Sequence, residues 1–177
     1  MANLKNLKIS IATLLFTTAA FTYAQEKHKM DHDHSKMDMT GMKMAPEFDN
    51  GNIADVYRHY EHIKNDLVGS NSGDAQEGAV ILNSVLEKIK GSEAALTASK
   101  RIANSYDLKV QRKAFSHLSN EIEGLLSGHI TSGKIYKDFC PMAFGSGAQW
   151  LSSIEDIRNP YYGANMINCG KVAEVIE

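Results

Sequence analysis

Cysteine, proline and tryptophan are scarce in this 177-residue chain, at two, three and one. Two cysteines exclude a disulfide-dense scaffold and leave a single possible pairing within the chain. No proline stands between Pro46 and Pro141, so nothing in that stretch breaks a helix. Neither charge sign dominates: 19 Lys and Arg against 21 Asp and Glu give a formal net charge of −2, which argues against nucleic acid as a partner. Beyond Phe21 no apolar run approaches the roughly 20 residues that a bilayer crossing takes. A Ser-His-Asp set, a nucleotide loop and a zinc-hydrolase motif are all missing, so no enzyme is expected.

What is present begins with an export signal. Lys5 and Lys8 precede an apolar core from Ile9 to Phe21, and Thr22-Tyr23-Ala24 offers small residues where a signal peptidase reads. Residues 1–24 are therefore read as a cleaved signal peptide, which predicts a periplasmic or otherwise exported protein with no membrane attachment after cleavage. About 150 residues then remain, enough for one domain with a proper core.

Residues 25–50 read as a disordered tail. Between His28 and Met44 lie His28, His32 and His34 with Met30, Met37, Met39, Met42 and Met44, and no other apolar side chain. Such a run has almost nothing to bury and does not fold alone. Thioether sulfur is a soft neutral donor suited to Cu(I), while imidazole also takes Cu(II). Thioethers need no deprotonation, so their binding survives mild acid. Asp31, Asp33 and Asp38 add oxygen donors for Cu(II). Copper is the expected ligand, Cu(I) foremost, with Cu(II) also possible in the tail.

The domain from residue 51 to 177 opens with helical periods. Val56, Tyr60, Ile63 and Leu67 make one apolar stripe, and Ala79, Leu82, Leu86 and Ile89 a second. "GSNSGD" (69–74) ends the first helix, with Asp74 as a cap for the next. Ser92 opens a third helix carrying Leu96 and Ile102. A fourth runs from about Asp107, with Phe115, Leu118, Ile122 and Leu125 on one face, to near Gly128. The predicted fold is mainly α: an antiparallel up-down four-helix bundle with a short C-terminal β-hairpin or irregular segment. His59 and His62 read as surface residues. His117 beside the fourth stripe and His129 at its end are candidate metal ligands, His129 also fitting a helix C-terminus as a charge.

After Gly133, "KIYKDFC" alternates like a strand, "GSG" (145–147) turns, and "AQWLS" returns as its partner. Cys140 sits here directly before Pro141 and Met142, and Met166 stands three residues before Cys169. The segment "YKDFCPMAFGSGAQWLSSIEDIRNPYYGANMINCGKV" resembles the signature of the DUF3347 family, and the resemblance runs from about Asp55 to Glu177. It implies an exported helical domain, also found at the C-terminus of heavy-metal efflux adaptor subunits, and thus a metal-handling context. Carried onto this chain, it marks Cys140, Met142, Met166 and Cys169 as the sulfur positions. A disulfide would close a loop of about 30 residues, worth about 3.5 kcal/mol by chain entropy. A reduced set of two thiolates and one or two thioethers suits Cu(I) equally well. Zinc or a redox role for the cysteines is the remaining reading.

The function expected is a periplasmic copper-binding protein that sequesters Cu(I) or hands it to a heavy-metal efflux system. Its partners would be copper ions and an efflux adaptor or another periplasmic metal carrier. The alternative is a disulfide-stabilised interaction module docking on an efflux adaptor, with the tail alone binding metal.

Overall fold

The computed structural model describes residues 45–177. The signal peptide, and the candidate ligands from His28 to Met44, lie outside the described residues. After a short strand β1 (Glu47–Phe48) come four helices: α1 (Gly51–Gly69), α2 (Ser72–Leu86), α3 (Glu93–Ala103) and α4 (Leu108–Leu126). Then follow β2 (Ile130–Ser132), β3 (Ile135–Cys140), β4 (Ala148–Ser152) and β5 (Lys171–Ile176), with short 3-10 turns at Ala143–Gly145 and Gly163–Asn165.

The apolar stripes bury as their spacing requires. Val56, Tyr60, Ile63 and Leu67 on α1, Leu82 and Leu86 on α2, Ile102 on α3, and Phe115, Leu118 and Ile122 on α4 have no exposed surface. Each helix packs on the next in sequence, and α4 closes back on α1. Asn50 caps α1 by accepting from the Asn52 N–H at 2.9 Å, and Asp107 caps α4 by accepting from Lys109 at 2.7 Å. Two caps differ from expectation. Asp74 lies in the first turn of α2, whose cap position is Asn71. Ser92 precedes α3, but its hydroxyl donates backward to the carbonyls of Leu86 and Ile89, holding the end of α2 instead.

The C-terminal segment is more than a hairpin. β3 is the centre of a three-stranded antiparallel sheet ordered β4-β3-β5, with Asp138 opposite Trp150 and Cys140 opposite Ala148. β5 adds along the other edge, with Phe139 opposite Lys171 and a bulge between Lys137 and Asp138. β1 and β2 form a separate two-stranded pair. On β3 the residues Tyr136, Asp138 and Cys140 are all buried, the period-2 face that meets the helices.

Tyr60 joins the sheet to the bundle. Its hydroxyl accepts from the Leu151 N–H at 2.9 Å and shares a 2.8 Å hydrogen bond with Ser119 Oγ, while its ring stacks on Phe115 at 5.0 Å. Arg112 on α4 donates to the carbonyls of Pro160 and Leu67, tying the 159–169 loop to the end of α1. No helix among the described residues is long and apolar enough to cross a membrane.

Candidate functional site

Cys140 ends β3 on its buried face. Cys169 ends the loop before β5, half-buried, and Asn159 sets that loop's shape. The fully buried Asn159 side chain donates to the Cys169 carbonyl at 2.7 Å and accepts from the Tyr161 N–H at 2.8 Å. Its own N–H reaches the Ile167 carbonyl at 2.8 Å. The Cys169 N–H in turn donates to the Met166 carbonyl at 3.0 Å.

Held this way, the two thiols lie 2.9 Å apart, sulfur to sulfur, and both are free. Hydrogen bonding to Cys140, followed by burial, pushes the Cys169 thiol above its ordinary range. Gly170 lets the loop come this close. At φ 146° it takes a backbone shape reserved for glycine, and a Cβ there would stand 2.8 Å from the Trp150 ring and 3.2 Å from the Phe139 carbonyl. Gly170→Ala is expected to destabilise the domain by about 1–3 kcal/mol and to slow oxidative pairing of the thiols. A urea titration and a thiol count during air oxidation check both effects.

The other sulfur candidates stand differently. Met142 is 57% exposed and lines a surface groove of about 610 Å³ with Leu108, Arg112, Phe144 and Tyr162. Met166 is half-buried and meets Cys169 through the backbone. His129 pairs with Asp49, its Nδ1 2.7 Å from the carboxylate, where β1 begins to lie along β2. His117 is exposed and faces a pocket of about 320 Å³ with Lys113, Phe144 and Gln149. His59 is half-buried, and burial, with Arg58 next, lowers its pKa; His62 stands 3.6 Å from Asp66. Among the described residues no three His, Cys, Asp or Glu side chains converge on a metal-sized site. Among the described residues the structure joins the two cysteines, while His117 and His129 take part in separate surroundings.

Of the aromatics next to the motif, Trp150 is fully buried and meets Tyr161 edge-on at 5.8 Å. Phe144 is partly exposed in a left-handed backbone conformation (φ 55°), with Lys113 Nζ 4.6 Å above its ring.

A buried polar cluster beneath the sheet has no forerunner in the sequence analysis. Lys64 on α1, 1% exposed, donates to Glu61 at 2.9 Å and to Ser152 Oγ at 3.2 Å. Glu61 also accepts from the Ser153 N–H at 2.8 Å. Asp138, fully buried, adds a second carboxyl whose oxygens make no hydrogen bond within the protein; the indole N–H of Trp150 is beside it without alignment. Burial raises the Asp138 pKa to about 7, with Lys64 opposing and Glu61 reinforcing the rise. Lys64 and Glu61 offset one another, so the cluster is neutral while Asp138 keeps its proton.

The fold and site together define a helical domain closed by a small antiparallel sheet, with a contacting thiol pair at the end of the central strand. Residues 56–133 match a family described as a protein of unknown function (DUF3347), which supports the resemblance over α1 to β2. The matched span stops before Cys140, so the roles of the sulfur residues rest on their own chemistry. No curated protein and no solved structure matches the chain.

Proposed function

We propose that this is an exported copper-binding protein that sequesters Cu(I) or hands it to a heavy-metal efflux system. The observation that carries the reading is the composition of one short stretch. Five of the chain's eight methionines and three of its seven histidines fall between His28 and Met44. Soft thioethers at spacings of two and three suit Cu(I), and imidazoles with Asp31, Asp33 and Asp38 suit Cu(II). The domain from 51 to 177 is the scaffold that carries this segment. We read its helices as an antiparallel up-down bundle, because the two residues linking α1 to α2 leave no room for a crossover.

Cu(I) titration against a competing chelator tests the reading. Replacing Met30, Met37, Met39, Met42 and Met44 by Leu is expected to remove most of the Cu(I) capacity, and Cys140→Ser/Cys169→Ser to leave it nearly intact. Unchanged capacity in the five-Leu variant would contradict the proposal.

A second reading, a disulfide-tied module docking on an efflux adaptor, is favoured by the contacting thiols and by the exposed Met142 and Phe144 beside Lys113. Binding to an efflux adaptor that is lost in a Met142→Ser/Phe144→Ser variant, with Cu(I) capacity unchanged, supports docking.

A further inference from the structure

The two thiols lie closer together than a shared ion would set them. Two sulfurs bound to one ion at about 2.3 Å each stand about 3.8 Å apart across a tetrahedral angle, and further apart across a linear one. Cys140 and Cys169 are at 2.9 Å. At contact distance the two sulfurs leave no room for an ion bound to both, and the end of β3 and the loop that Asn159 pins place them there. Closing the gap to a disulfide, about 2.0 Å, takes less than an ångström of side-chain motion. No third His, Cys, Asp or Glu donor converges with them among the described residues. This geometry fits a pair that closes to a disulfide.

Copper supplies the complementary need, and this step rests on the copper-binding reading above. The imidazoles and carboxylates between His28 and Met44 accept Cu(II), whereas the thioethers there prefer Cu(I). A protein that meets copper in one state and keeps it in the other requires an electron source, and a thioether is not one. We propose that Cys140 and Cys169 form a dithiol reductant of Cu(II).

In the balanced step, both S–H bonds break and one S–S bond forms. Two Cu(II) ions each take one electron and become Cu(I), and two protons pass to solvent. Cys169, half-buried, meets the first Cu(II); Cys140, fully buried, traps the oxidised sulfur at contact distance as the second Cu(II) takes the remaining electron. Contact within one chain replaces an encounter between two chains, which is why the pair outruns a lone thiol.

The test uses the full chain after signal removal, reduced and kept free of oxygen, with aqueous Cu(II) and bicinchoninate to report Cu(I). About two Cu(I) should appear per disulfide formed, together with loss of both thiols and an intramolecular disulfide by mass. Cys140→Ser and Cys169→Ser should each slow Cu(I) formation about tenfold or more, with far-ultraviolet circular dichroism unchanged. Equal rates for wild type and the single variants would overturn the proposal, as would Cu(II) persisting by electron paramagnetic resonance while both thiols stay intact. Copper uptake by Cys140→Ser/Cys169→Ser, measured in parallel, separates the two ideas. If this variant binds copper and the wild type fails to reduce it, only the reductant role falls. If the variant binds none while wild type still yields Cu(I) at the thiols, the copper-capture reading falls and the reductant role stands.

Discussion

Lys64→Met is expected to destabilise the domain by about 3–5 kcal/mol near neutral pH, read as a lower urea midpoint at unchanged slope. The methionine keeps the apolar stem and removes the only charge of its sign in the cluster under the sheet. Glu61 would then be left in the buried cluster, near Asp138, without the ammonium that lies 2.9 Å from it. Glu61 would still accept from the Ser153 N–H and from Tyr57, so the carboxylate is not left bare. Adding Glu61→Gln to Lys64→Met removes the stranded charge and should restore part of the loss. A loss below about 1 kcal/mol for Lys64→Met, the range of an exposed pair, would show that the cluster is solvated rather than buried.

Asp138 makes stability fall as pH rises through the acid-to-neutral range. An unfolded aspartate ionises near 3.9, whereas the folded carboxyl holds its proton to about 7 because burial disfavours its charged form. Between those values the native state binds more protons than the unfolded one, so the slope of unfolding free energy with pH is negative. The full span from pH 4 to pH 7 is expected to cost about 2–4 kcal/mol, the lower figure applying if water reaches the carboxyl. Asp138→Asn removes the titrating group and should flatten that part of the curve. Urea midpoints at pH 4.5, 5.5, 6.5 and 7.5 measure it. Stability rising over that interval in the wild type would mean that the native carboxyl is ionised and paired with Lys64.

The helices were legible because their information is local. Val56, Tyr60, Ile63 and Leu67 repeat at helical spacing, and each is buried. The β3–β4 hairpin was legible for the same reason, its alternation and its glycine turn lying close in sequence. β5 was not, since Lys171–Ile176 is mostly exposed and its pairing with β3 depends on a loop shaped by Asn159. β1 and β2 are two and three residues long and join segments that lie on either side of the four helices in sequence. Lys64 and Asp138 carry no periodic signal of their own, and their burial follows only once the sheet is laid on α1. Cys140 and Cys169 were recognisable as the one possible cysteine pairing within the chain, and they lie in contact. The methionines beside them carried no signal of where they would point, and Met142 lies in a surface groove.

A contacting thiol pair in the folded domain and a methionine-rich stretch outside it give the copper account one decisive observable. X-ray absorption at the copper edge of the Cu(I)-loaded chain, compared with Cys140→Ser/Cys169→Ser and with the five-methionine Leu variant, reads the ligands directly. The account predicts a sulfur-rich shell that is the same in the cysteine variant and lost in the methionine variant. A sulfur shell that vanishes with the two cysteines and survives loss of the five methionines would contradict it.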